Sequence, residues 1–100
     1  MKIAIASDHA GYKLKERLKK YLKESGYKVV DFGTYNEEPV DYPDFAFKVA
    51  KQVGNKKFRR GILVCGTGIG MSIAANRVKG VRAAVCWSEK SAELSRKHND

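Results

Sequence analysis

Gly61-Ile62-Leu63-Val64-Cys65-Gly66-Thr67-Gly68-Ile69-Gly70 is the stretch on which the fold turns. Its first half is a continuous apolar run of strand length. Its second half places glycine at alternate positions, which lets the backbone turn sharply and leaves its N–H groups open. A helix from about Ile69 to Arg77 is expected next, closed by Gly80. A buried strand that turns through glycines directly into a helix is the building unit of an α/β sheet with parallel strands.

The same alternation extends in both directions. Upstream, Lys2–Ser7 reads as a short buried strand, Asp8-His9-Ala10-Gly11 as a turn, and Tyr12–Ser25 as an amphipathic helix ended by Gly26. A second strand is expected over Tyr27–Phe32, and a loop over 34–40. Asp41 is placed to cap a helix with Pro43 in its first turn, running to about Val53 and ended by Gly54-Asn55. Downstream, Val81–Cys86 reads as a fourth strand. Ser88 opens a last helix, Glu89–Lys97, with an incomplete capping box.

Strand–helix four times over predicts one α/β domain spanning residues 1–100, a doubly wound parallel sheet of flavodoxin-like order 2-1-3-4. In such sheets a ligand lies beyond the carboxyl ends of the strands, at the point where strand order reverses. With this order the reversal falls between strands one and three. It brings Asp8-His9 and Cys65-Gly66-Thr67 to the same place.

The net charge is +9. Six of the cations, Lys13, Lys15, Arg17, Lys19, Lys20 and Lys23, fall on the first helix. There Leu14, Leu18, Tyr21 and Leu22 have the spacing of a core-facing stripe, so the lysines are expected to face water. Lys56, Lys57, Arg59 and Arg60 form a second cluster, in a loop. A solvated basic surface is the plainer reading of both, and nucleic-acid binding ranks last: only Phe58 interleaves an aromatic with the second cluster. No run approaches membrane-spanning length and the N-terminus has no secretory pattern, so a cytoplasmic protein without membrane contact is expected. Cys65 and Cys86 are then expected as free thiols.

The glycine loop offers backbone N–H groups and a helix N-terminus to an anion. It matches a dinucleotide fingerprint only loosely, being one residue short in its last spacing, and it lacks the lysine of a phosphate-binding P-loop. Cys65 sits at the helix mouth, where a thiolate is favoured and could act as nucleophile or base; as a small buried hydrophobe it would need no chemistry at all. His9 could bind a phosphate or shuttle a proton, with Asp8 orienting it or meeting a sugar hydroxyl. Thr67 could bond its own loop or a ligand hydroxyl. His98-Asn99 ends the last helix, where a histidine commonly meets the helix dipole. The spacings of Cys65, Cys86, His9 and His98 fit no metal site, and no serine sits on a nucleophile elbow.

Five separated motifs occur in order along the chain: Met1-Lys2-Ile3-Ala4-Ile5-Ala6-Ser7-Asp8-His9-Ala10-Gly11, Asp31-Phe32-Gly33-Thr34, Asp41-Tyr42-Pro43-Asp44, Cys65 through Arg77, and Arg96-Lys97-His98-Asn99-Asp100. Together they resemble the type B ribose-5-phosphate isomerases, a family that extends to galactose-6-phosphate and allose-6-phosphate isomerases. The resemblance implies a cofactor-free interconversion of ribose 5-phosphate and ribulose 5-phosphate through an enediolate. It makes Cys65 the base and the loop of Gly66, Gly68, Ile69 and Gly70 the hole for the enediolate oxygens. Some members instead carry glutamate at the position of Met71 and lack the cysteine; this chain matches the cysteine type. The resemblance further implies that Thr67 and His98 assist ring opening, that Asp8 and Asn99 meet sugar hydroxyls, that His9 meets the phosphate and that Tyr42 lines the pocket. It implies a homodimer or higher homo-oligomer with the site shared between subunits. Family chains also continue past position 100 into a fifth strand, a last helix and phosphate-gripping arginines, so weakened or absent activity is expected here. A self-associating inactive fragment is the alternative.

Overall fold

The structure, a computed structural model, describes residues 1–99; Asp100, the last residue of the fifth motif, lies outside the described residues. The elements are β1 (Lys2–Ser7), α1 (Tyr12–Glu24), β2 (Lys28–Asp31), α2 (Tyr42–Gly54), β3 (Arg60–Val64), α3 (Ile69–Asn76) and α4 (Glu89–Asn99). Three parallel strands form one sheet in the order β2-β1-β3. Lys2 pairs with Lys28, and Ile3 with Arg60, so the carboxyl ends of all three strands reach the same side.

Strand alternation decides what each face buries. Ala4 and Ala6 of β1 face α2, packing with Val49 and Phe58 and flanked by Val30, Phe32, Phe45 and Leu63. Small residues on the central strand let the helix approach closely. Gly61 serves the same contact, since a Cβ there would lie 2.5 Å from Val49 Cγ1. The α2–α3 seam is Ala46, Met71 and Ala74, with Cys65 at its margin. Met71 is fully buried, a burial worth about 2 kcal/mol. The helix α1 covers the opposite face, touching all three strands but not α2.

Two features differ from the sequence expectation. The first is the facing of α1. Lys15 is 0% exposed, while Leu14 and Tyr21 stand 49% and 65% exposed. The stripe that meets the sheet is Gly11, Lys15, Leu18 and Leu22, with Gly11, Lys15 and Leu22 buried. Burying an ammonium requires a partner, and Asp31, at the end of β2, supplies one at 2.6 Å. Lys19 joins at 2.8 Å from the same carboxylate oxygen, and Glu16 lies 3.2 Å from both lysines. The remaining cations of α1 and those at 56–60 are exposed as expected.

The second is the expected fourth strand. Residues 81–86 pair with no strand among the described residues, where the order is 2-1-3 with β3 at one edge. Asn76 stands in for the missing partner. Its side-chain amide donates to Ala83 O and accepts from Ala83 N–H, both at 2.9 Å. The reciprocal pair reproduces a ladder's hydrogen bonds from a helix end. Ser88 does cap α4: its Oγ accepts from Ser91 N–H at 3.1 Å, and Ser91 Oγ accepts from Ser88 N–H at 3.2 Å. Serine thus replaces the glutamate of a capping box. The helix α4 runs two residues further than expected and packs against no other described helix or strand.

The ion network predicts an acid limb of stability. Burial pushes the Asp31 carboxyl up, but hydrogen bonds from Lys15, Lys19 and the Gly33 N–H outweigh it and hold it below the usual value of 3.8. Glu16 is likewise held below its usual 4.5, the lysine hydrogen bonds overcoming its own desolvation. A carboxylate whose folded value is depressed stabilises the fold above its unfolded value and loses that contribution as pH falls through the folded one. Stability should therefore decline below about pH 4.5, and Asp31→Asn should flatten part of that decline while lowering stability at neutral pH. Urea unfolding of both chains from pH 7 to pH 2 checks this.

Candidate active site at the carboxyl ends of the strands

The turn after each strand is fixed to its neighbours by backbone hydrogen bonds. Asp8 N–H donates to Val64 O at 3.1 Å, joining the ends of β1 and β3. Ser7 N–H donates to Gly33 O at 2.7 Å and Thr34 N–H to Ser7 O at 2.9 Å, joining β1 to the turn after β2. The three turns therefore form one rigid shelf, and Asp8-His9 and Cys65-Gly66-Thr67 both stand on it, as the strand-order argument expected.

Cys65 follows β3 and is half-buried. Its Sγ accepts the Gly68 N–H at 3.0 Å. A backbone donor aimed at the sulfur from a helix N-terminus stabilises negative charge there. Gly68 is the N-cap of α3 and is left-handed, at φ 81°. A side chain there would be strained, and a Cβ would also lie 3.4 Å from Val85 Cγ1. Thr67 Oγ1 accepts the Ile69 N–H at 3.1 Å, so its hydroxyl is engaged with its own loop. The N–H groups of Gly66, Thr67 and Gly70 bond to no other described residue, and they open on the same loop.

Tyr42, at the start of α2, lies over the loop. A Cβ on Gly70 would be 2.8 Å from its ring, so glycine is what allows the tyrosine to approach. Gly66 is under no such constraint, with Ala10 Cβ 3.8 Å from the place of its own Cβ. Asp8 is buried and its Oδ1 accepts the Gly11 N–H at 2.9 Å, so one oxygen shapes the turn into α1. His9 is half-buried and its Nδ1 accepts the Val40 N–H at 3.1 Å. An acceptor Nδ1 leaves the proton of a neutral imidazole on Nε2, as a donor.

Of the sequence-derived residues, the fold gathers Asp8, His9, Tyr42, Cys65, Thr67 and the loop glycines. His98 and Asn99 are not gathered: both are exposed at the end of α4, which touches none of the elements that build the shelf. Trp87 was missed by the sequence reading. Its Nε1 donates to Thr67 O at 2.8 Å, yet the residue is 76% exposed. Being the chain's only tryptophan, next to Cys86 at the end of an apolar run, was the available signal. Cys86 itself is exposed and remote from any glycine turn of its own, and both cysteines are free. Among the described residues no group of histidine, cysteine and acidic side chains is arranged to hold a metal, and no helix is long and apolar enough to cross a membrane.

Residues 3–100 match the family model described as Ribose/Galactose Isomerase. The chain is 52% identical over 100 residues to "Ribose-5-P isomerase B" of Listeria innocua, covering all of this chain and 68% of that protein. It is 50% identical over 99 residues to "Ribose-5-phosphate isomerase B" of Escherichia coli, covering 99% of this chain and 66% of that one. A solved structure of Clostridium thermocellum ribose-5-phosphate isomerase B superposes with a TM-score of 0.97 at 57% identity, over 100% of this chain and 68% of that chain. The Mycoplasma genitalium enzyme, solved with bound ribulose-5-phosphate, superposes at 0.91 with 50% identity, over 98% of this chain and 66% of that one. The chain thus spans about two thirds of the length of these relatives. On the family match and these identities, the chain belongs to the ribose/galactose isomerase family.

Proposed function

We propose that this chain interconverts ribose 5-phosphate and ribulose 5-phosphate through an enediolate, with Cys65 as the base. The observation that carries the proposal is the Cys65 sulfur receiving the Gly68 N–H at the mouth of α3, beside the open N–H groups of Gly66, Thr67 and Gly70. An aldose–ketose isomerase must take a proton from the carbon next to a carbonyl, hold the oxyanion that forms, and return the proton to the neighbouring carbon. A thiolate at the helix mouth takes the C2 proton of the open-chain aldose. The N–H groups of Gly66, Thr67 and Gly70 face the developing oxyanion, the kind of stabilisation that is usually the largest catalytic contribution. The resulting thiol returns the proton at C1 while the O2 hydroxyl proton passes to O1, which leaves the carbonyl at C2. No redox cofactor or metal is required by that sequence.

The supporting side chains fall around this centre. Asp8 reaches the sugar hydroxyls with the oxygen that Gly11 does not use. His9 presents Nε2–H to the phosphate. Tyr42 walls the pocket over Gly70. His98 and Asn99 stand away from the loop within one copy, which supports a homodimer in which a second copy brings its own last helix to the site, with His98 and Thr67 acting on the sugar ring. The two free thiols fit a reducing, cytoplasmic setting. Ribose 5-phosphate held with the chain in D2O should take up deuterium at C2, read by proton NMR; this is the reaction's first step and needs no net turnover.

A further inference from the structure

The burial of Lys15 serves more than the packing of α1. A lysine fully out of water beside a carboxylate is seldom better for stability than a hydrophobic side chain of the same size. Its place in the fold points to another role. Lys15 Nζ lies 2.6 Å from Asp31 Oδ2 and sits between two aromatic rings, 5.4 Å from the centre of Tyr12 and 5.5 Å from that of Tyr35. Asp31 passes the constraint on twice. Its Oδ1 accepts the Gly33 N–H at 2.8 Å, and its backbone carbonyl accepts the Tyr35 hydroxyl at 3.2 Å. Both contacts fix the start of the strap 34–40.

At the start of the strap Thr34 is buried and its N–H donates to Ser7 O at 2.9 Å, but the residues that follow have little to hold them. Tyr35, Asn36, Glu37, Glu38 and Pro39 are all exposed, so none of them anchors it in the core. An internal bond from Glu38 N–H to Asn36 Oδ1 stiffens it, and the Lys13–Glu37 pair, at 3.8 Å with both side chains largely in water, adds little. At its far end Val40 N–H donates to His9 Nδ1 at 3.1 Å. The strap is therefore held at one end by the backbone of β1 at Gly33 and Thr34 and by Asp31, which Lys15 fixes, at Gly33 and Tyr35, and it delivers at the other the donor that sets the protonated nitrogen of His9. Such partners behind a working histidine fix its tautomer and ring orientation.

We infer that Lys15 and Asp31 are positioning residues for His9: acting through the strap 34–40, they hold its imidazole with Nε2–H outward as a donor to a phosphoryl oxygen. That last phrase rests on the isomerase reading; the positioning itself does not. The test is the nitrogen-15 NMR spectrum of His9 in this chain and in Lys15→Met, with circular dichroism to confirm folding. In the parent chain Nδ1 should resonate as an unprotonated acceptor. In Lys15→Met the two ring nitrogens should move toward a tautomer average, and affinity for ribose 5-phosphate should fall about tenfold, as for one lost hydrogen bond to a charged group. Val49→Ala, a core change remote from the strap, should lower stability without moving either nitrogen. His9 nitrogens unchanged in a folded Lys15→Met would overturn the inference, as would an equal shift in Val49→Ala. If Lys15→Met does not fold, Asp31→Asn is read the same way: the amide keeps an oxygen for Gly33 but loses the lysines' charge pairing. A tautomer shift in a chain that binds no ribose 5-phosphate would sustain the positioning role and count against the isomerase reading alone.

Discussion

Replacing Cys65 by alanine should lower turnover of ribose 5-phosphate by a factor on the order of 10^3 or more while leaving the fold intact. A positioned base contributes about 10^2 to 10^4 in rate, and nothing nearby can take its place. Met71 is a fully buried thioether. Asp8 has one oxygen committed to the Gly11 N–H. Cys86 is exposed and bonded, weakly, only to Ala84 O. The structural cost is small by comparison. Alanine removes the acceptor of one N–H, that of Gly68, worth about 1 kcal/mol where water can replace it. Thermal unfolding should therefore shift by a few degrees at most while the rate collapses. A collapse of rate together with stability would point to a packing role for the cysteine, and an unchanged rate would remove it from the reaction.

Gly11→Ala should produce the largest loss of stability among single-methyl changes in this chain. Gly11 caps α1 at φ −92°, a backbone that any residue adopts, so strain in the chain itself is not the reason. The reason is where its Cβ would go: onto the carbonyl oxygen of Val64, with the carbonyl carbon 2.6 Å away and Val64 Cγ1 at 2.8 Å. That carbonyl cannot retreat freely, because it accepts the Asp8 N–H at 3.1 Å and so joins β1 to β3. Either the strand ends separate or the helix lifts from the sheet. Overpacking against movable side chains costs about 1–3 kcal/mol, and here the obstacle is backbone, so about 3 kcal/mol or more is expected. For a domain of this size that is a fall in Tm of about 15 °C or more. Calorimetry reads it directly; a shift under about 5 °C would mean that α1 sits less tightly on the sheet than described. The same displacement would move Asp8 and Cys65 apart, so activity should fall with stability.

What could be read from the sequence depended on whether a residue's partner was near it in the chain. The apolar runs at Ile3–Ala6 and Gly61–Val64, and the glycine turn after Cys65, carry their own explanation, and the order of the three strands followed from them. Lys15 did not, because helical periodicity sorts lysine with the solvent and its partner, Asp31, lies on another element. The segment 81–86 has the composition of a strand, but the backbone of Ala83 at its centre is met by the side chain of Asn76 and Val81 N–H donates to Val78 O. No periodicity encodes that. At the site, the loop from Cys65 to Gly70 could be read as a turn that offers N–H groups to an anion, whereas the enediolate proposed for it came from the resemblance of the whole chain to a family. The close approach of Tyr42 to Gly70 and the Trp87 bond to Thr67 are tertiary events invisible to spacing. His98 and Asn99 were legible only as family positions, and one copy of the chain leaves them outside the site.

The most direct test of the account is the fate of the C2 proton. Ribose 5-phosphate is incubated in D2O with this chain and, separately, with Cys65→Ala, and the C2 signal is followed by proton NMR. Loss of the C2 proton signal in the first sample, with deuterium gained at that carbon, and retention of the signal in the second is the result expected if Cys65 and the glycine loop form an isomerase centre. Retention of the C2 proton in both samples, or its equal loss in both, would contradict it.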